Sequence, residues 1–137
     1  GTLVPTVVGG GTLPAVTPML MTARDLGIAA ENRVLKELHR RGWHLLDRNW
    51  SCRWGELDLL VIKGRRLLLV EVKGRRTPVW GTRAVMSAKR RRLGRAFSCW
   101  RAQHPERADC LLQVAVAVVP LPPSNGPVRW FPLEQLC

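Results

Sequence analysis

Carboxylates are scarce in this chain of 137 residues: ten Asp and Glu stand against 22 Lys and Arg, a net charge of +12. An excess of that size on a small domain points to a polyanionic partner, nucleic acid or an anionic membrane surface. Long apolar runs are missing too. No stretch approaches the ~20 residues needed to span a bilayer, and the first twenty residues lack the basic start and unbroken apolar core of a signal peptide. None of the four cysteines, Cys52, Cys99, Cys110 and Cys137, belongs to a CxxC pair. The three histidines, His39, His44 and His104, show no ligand spacing near them, which argues against a zinc site. The cysteines therefore read as reduced thiols of a cytoplasmic protein, packed rather than bridged.

What is present suits one domain with a real core. Residues 1–20, "GTLVPTVVGGGTLPAVTPML", carry no charge and hold three consecutive glycines and three prolines. They read as a poorly ordered extension, with Met19 or Met21 as alternative starts, and residues 21–137 form the domain. Thr22 is placed to cap a helix running to about Arg41, with Asp25 three residues on and Gly42 as its stop. At about 100° per residue, Ile28, Val34, Leu35 and Leu38 share one arc and Arg33, Lys36, His39 and Arg40 the other. Glu31 falls near the middle of the apolar arc, so it points towards the core. A strand is expected around Leu45 to Ser51, then "GELDLLVI" and "RLLLVEVK" as a hairpin about "KGR". Thr77, Pro78 and Gly81 mark a loop. Ser87 is expected to cap a second helix, "AKRRRLGRAFSCWRAQH", whose Leu93, Ala96, Phe97 and Trp100 form an apolar stripe beside a cationic face. "CLLQVAVAVV" reads as a buried strand and "VRWFPL" as a short final one. The order αβββαβ, with that terminal strand, predicts an α/β fold: a mixed sheet flanked by helices.

The carboxylates that remain are not scattered. From Lys63 to Arg95 there are twelve basic residues and a single acidic one, Glu71. If the hairpin turns on Gly64 and Arg65 in a type II′ turn, cross-strand partners sum to 129. Asp58 then lies opposite Glu71 and Glu56 opposite Lys73, while Leu57 with Val72, Leu59 with Val70 and Val61 with Leu68 make an apolar layer on the other face. Opposed carboxylates repel. A divalent cation removes that penalty, because Mg²⁺ takes one or two carboxylates completed by water and substrate phosphate. Lys73 beside the ion would orient an attacking water or stabilise charge developing on phosphorus, and Glu31 would reach the same cluster. The plainer alternative is an ordinary Glu56 to Lys73 cross-strand ion pair, with Asp58 and Glu71 solvated on an open face.

"GELDLL", followed after a short hairpin by "VEVKGR" and preceded by "RNW" and a helix with an inward Glu31, resembles the uncharacterised YraN-like bacterial family. That family is similar to the PD-(D/E)XK nuclease superfamily, close to the archaeal Holliday junction resolvases in its core. The likeness extends from about Ala23 to Val119 and includes "WGTRAVMSAKRRRL". It implies a restriction endonuclease-like fold and an endonuclease that hydrolyses phosphodiester bonds in DNA, structured or branched substrates included. It further implies Mg²⁺, or Mn²⁺, held by Asp58, Glu71 and the carbonyl of Val72, with Lys73 assisting the water. Glu31 matches the helix acid and Glu56 an auxiliary position. The chain departs from its relatives at Leu112, Gln113 and Val114, where they often carry arginine, phenylalanine and aspartate.

Arg75, Arg76, Arg83, Lys89, Arg90, Arg91, Arg92 and Arg95 follow the cluster directly and would hold phosphates by charge, with little sequence readout. DNA is the first partner expected and RNA the second. Trp50, Trp54 and Trp80 lie near the cluster in sequence and are candidates for stacking on bases; Trp43 and Trp100 read as core. A membrane-surface helix over Lys89 to Arg101 accounts for the charge but leaves Asp58 and Glu71 unexplained, so no membrane partner is expected. A homodimer would suit symmetric cutting of a junction. Two other readings stay open: a DNA- or RNA-binding protein that keeps the fold without turnover, and a protein whose charge serves another acidic macromolecule.

Overall fold

Thr22 starts the first helix, α1 (Ala23–Arg40), through a full capping box: its hydroxyl accepts from the Asp25 amide at 3.0 Å while the Asp25 carboxylate accepts from the Thr22 amide at 3.1 Å. The computed structural model describes residues 21–76 and 83–133, the side chains of 83–90 excepted. The 1–20 extension, the loop at Thr77, Pro78 and Gly81, Trp80 and Cys137 lie outside the described residues. Thr22→Ala removes one of the two reciprocal bonds and is expected to lower stability by about 1 kcal/mol, read as a fall in the urea midpoint with an unchanged slope.

Three strands follow, β1 (His44–Cys52), β2 (Gly55–Lys63) and β3 (Arg66–Arg75), then α2 (Arg83–Gln103), a 3₁₀ turn at Pro105–Arg107, β4 (Leu111–Pro120) and β5 (Arg129–Leu133). The strands form one mixed sheet in the order β1-β2-β3-β4-β5, antiparallel except for the β3/β4 pair. A parallel neighbour cannot be reached by a tight turn, so α2 serves as the crossover between β3 and β4. This is the α/β architecture expected from the element order, consistent with a restriction endonuclease-like core. No helix among the described residues is long and apolar enough to cross a membrane.

The sheet is buried on both faces. Ala30, Val34 and Leu38 of α1 pack with Leu59, Val61, Val70, Ala117 and Val119. Leu93, Ala96, Phe97 and Trp100 of α2 pack with Leu60, Leu67, Leu69 and Val114. Neighbours such as Leu59 and Leu60, or Leu69 and Val70, thus go to opposite helices, as alternation along a strand requires. Double coverage is why β2 and β3 read as nearly continuous apolar runs.

The β2/β3 register has the predicted sum, from Lys63 opposite Arg66 to Leu59 opposite Val70. Gly64 has φ +61° and Arg65 is not among the residues of positive φ, as a type II′ turn requires. Three expectations are corrected. Leu57 packs in the α2 cluster rather than with Val72 on the α1 side; the β2/β3 ladder ends at Leu59 and Val70, and the Val72 amide turns to the Asp58 side chain. Ile28 is 39% exposed, and Ala30 takes the buried place on that arc. Ser87 lies inside α2 rather than capping it, since the helix already begins at Arg83 and nothing between Ala84 and Ser87 breaks it.

Candidate functional site

Glu71 leaves the apolar run of β3 on the α2 side and is only 3% exposed. A carboxylate so far from water needs compensation. Lys73, two residues on along the same face, supplies part of it: its Nζ lies 3.3 Å from Glu71 Oε2. Asp58 arrives from β2. The Val72 N–H, which a continued ladder would direct at Leu57, donates instead to Asp58 Oδ2 at 2.9 Å. That bond fixes the Asp58 side chain against β3 between the two charged residues, Glu71 and Lys73.

Asp58 and Glu71 open into one cleft of about 230 Å³, lined also by Gly55, Glu56, Arg92 and Leu93. The strands supply one wall and α2 the other. Gly55 has φ +148°, and a Cβ there would sit 3.9 Å from Arg92 Cβ, so the start of β2 lies directly beneath the helix. The solvated-carboxylate alternative fails on the burial of Glu71, and the ion pair of Lys73 is with Glu71 rather than Glu56. Glu56 is exposed at the rim.

Glu31 points inward, but to another destination. Its Oε1 accepts from Arg48 Nε at 3.1 Å and from Asn49 Nδ2 at 3.2 Å, both on β1. Arg48 also donates to the Ile28 carbonyl, so this pair ties α1 to the sheet. Asn49 adopts φ +53°, a conformation asparagine tolerates better than most residues. Glu31 does not line the cleft, and among the described residues no group of three or more His, Cys, Asp or Glu side chains is assembled to hold a metal. What the cleft offers is the carboxylates of Asp58 and Glu71, hard oxygen donors, with that of Glu56 at its rim. That set fits Mg²⁺ or Mn²⁺ in the mode that uses one or two carboxylates with the remaining positions left to water and phosphate, and does not fit a closed protein cage.

The basic residues divide by position. Arg92 lines the cleft; Arg91 and Arg95 are exposed on α2. Arg75 and Arg76 are exposed at the end of β3, and Arg75 Nη1 donates to the Gly74 carbonyl at 2.7 Å. Arg83, Lys89 and Arg90 belong to α2, with side chains outside the described residues. Trp54, one of the stacking candidates, lies with Arg53 at the turn between β1 and β2; Arg53 was not singled out, because the charge run begins ten residues later. The signal for Arg53 was its place just before "GELD".

Cys52, Cys99 and Cys110 are free thiols. A hydrogen bond with Cys52, aided by burial, pushes the Cys99 thiol up from its ordinary pKa. A thiol held protonated is a poor nucleophile, which argues against Cys99 as a reactive group.

Residues 30–116 match the model of the uncharacterised protein family UPF0102. The chain belongs to that family. It is 65% identical over 117 residues to a UPF0102 protein of Parasynechococcus marenigrum (strain WH8102), covering 85% of this chain and 87% of the relative. A UPF0102 protein of Synechococcus sp. (strain CC9902) is 54% identical over 120 residues, 85% of this chain and 99% of the relative. One from Frankia casuarinae is 42% identical over 112 residues, covering 80% and 93%. The family match contains every residue of the cleft and both helices' buried stripes, so the site belongs to the family's own domain.

Proposed function

We propose that the cleft is the active site of a Mg²⁺-dependent nuclease that hydrolyses phosphodiester bonds in DNA, structured or branched DNA included. The observation that carries this reading is the convergence of Asp58 and buried Glu71 in one cleft, with Lys73 held against Glu71 and Arg92 on the opposite wall. The resemblance of "GELDLL" and "VEVKGR" to the PD-(D/E)XK nucleases supports it.

Asp58 and Glu71, with the Val72 carbonyl, are the groups that would hold the ion. Held by these residues, a divalent cation would supply Lewis-acid chemistry at the phosphate. Asp58 is kept in place by the Val72 amide, so its geometry does not have to be assembled when substrate arrives. Lys73 donates a hydrogen bond to the attacking water and stabilises negative charge growing at phosphorus. Arg92 and the exposed arginines of α2 hold the flanking phosphates.

The decisive experiment incubates the chain with single-stranded, duplex and four-way-junction DNA, with RNA in parallel, in Mg²⁺ or Mn²⁺. The wild type should cleave at least one substrate and Glu71→Ala none. If both bind equally and neither cleaves, the protein is a nucleic-acid binder that keeps the fold without turnover. Metal binding is checked separately by calorimetric titration with Mn²⁺. Asp58→Asn and Glu71→Gln are each expected to weaken it about tenfold or more, and unchanged affinity in both would remove the metal from the proposal.

A further inference from the structure

At the lip of the cleft, one residue before Gly55, Trp54 is 39% exposed. It occupies a tight turn between β1 and β2, where a large aromatic side chain has little to pack against. Its amide donates to Cys52 Sγ at 3.4 Å, which fixes the turn rather than burying the ring. Two guanidinium groups lie over the ring: Arg53 Cζ is 4.5 Å from its centroid and Arg95 Cζ 5.2 Å. Arg53 comes from the turn and Arg95 from α2, the helix whose Arg92 lines the cleft. An exposed indole, two arginines and the carboxylate cleft therefore meet across the junction of β1, β2 and α2.

We infer that Trp54, with Arg53 and Arg95, is a stacking site for one unpaired base of a DNA strand whose neighbouring phosphodiester lies in the cleft. The relative strengths favour exchange. An exposed cation–π contact is worth about 0.5–1 kcal/mol, whereas stacking a base on an aromatic side chain is worth roughly 1–3 kcal/mol. A base can thus displace a guanidinium from the ring, and the displaced arginine gains a phosphate on the same nucleotide. The base must be unpaired, because bases within a duplex are already stacked on both faces and cannot reach an indole without being extruded. The net charge of +12 on the chain favours a polyanionic strand over an isolated aromatic ligand. This assignment of substrate class rests on the nuclease reading of the cleft, but the site itself binds whether or not the cleft cuts.

The test measures binding in chelator, so that cleavage plays no part, by anisotropy with a labelled single-stranded DNA 12-mer and its duplex. A heparin fragment of similar charge serves as an unlabelled competitor, a polyanion without bases. Trp54→Ala should weaken single-strand binding by about 5- to 100-fold while changing duplex and heparin affinity by less than about twofold. Trp54→Phe should restore most of the loss, which also controls for folding. Arg53→Gln with Arg95→Gln should weaken all three ligands and reduce the salt slope by about two. Equal effects of Trp54→Ala on all three ligands, no effect on any, or no single-strand binding by the wild type overturns the inference. Cleavage assayed in Mg²⁺ on the same samples separates it from the nuclease reading. Trp54-dependent single-strand binding without cleavage sinks only the latter, and cleavage with binding indifferent to Trp54 sinks only the former.

Discussion

Lys73→Ala is expected to lower DNA cleavage by about 10²–10⁴-fold while raising, rather than lowering, the affinity for Mn²⁺. The two directions follow from one distance. With Nζ 3.3 Å from Glu71 Oε2, the ammonium would stabilise charge at a phosphate reacting in the cleft but would also compete for the carboxylate proposed to hold the ion. Removing it leaves Glu71, 3% exposed, with less compensation in the absence of metal. The metal-free variant should therefore be less stable, near or below the low end of the roughly 3–5 kcal/mol typical of breaking a buried pair, because the Lys73 side chain is 28% exposed. Added Mn²⁺ should recover part of that loss, by about 2.7 kcal/mol at a hundredfold excess over Kd. Thermal melts with and without Mn²⁺, beside a gel cleavage assay, read all three effects. A variant that loses cleavage and Mn²⁺ affinity together would show that Lys73 shapes the metal site instead of assisting the chemistry.

The hairpin was legible because two independent signals agreed on it. Alternation placed Leu59 and Leu60 on opposite faces, Gly64 fixed the turn, and together they left one register, the one observed. The pairing of Asp58 with the Val72 amide was not legible, because it depends on a side chain taking a main-chain role. Leu57 marks the same limit: its position in the alternation is clear, but the ladder with β3 ends before reaching it, and it packs with α2.

For Glu31, periodicity gave the direction and not the destination. An inward arc on α1 names the face that packs on the sheet, but not which strand lies beneath each turn. That strand is β1, whose Arg48 and Asn49 take the Glu31 carboxylate, so the helix acid secures α1 to the sheet instead of joining the cleft. The start of α2 was hidden for a different reason. A serine followed by a helical run resembles a cap whether or not the preceding residues are already helical, and only the described backbone places Arg83 at the beginning.

The other wall of the cleft depends on a residue that does not line it. Trp100 is 1% exposed, its ring stacks on His104 at 4.0 Å and on Phe97 at 5.9 Å between centroids, and its Nε1 donates to Asp47 Oδ2 of β1 at 2.7 Å. It therefore joins α2 to the sheet through both packing and a part-buried polar bond. Trp100→Ala removes the ring, at about 3–5 kcal/mol, and takes a donor from Asp47, at about 1–3 kcal/mol. Against a total stability of roughly 5–15 kcal/mol for a domain of this size, that loss should lower the melting temperature by on the order of 15 °C or more. Trp100→Phe keeps most of the packing and loses the N–H, so its cost should approach the smaller figure alone. Urea melts of the two variants divide the contributions, and near-equal midpoints would mean that the Asp47 bond, not the ring, holds the helix. Because Arg92 and Arg95 ride on the same helix, Trp100→Ala should also weaken DNA binding at temperatures where Trp100→Phe still binds as the wild type does.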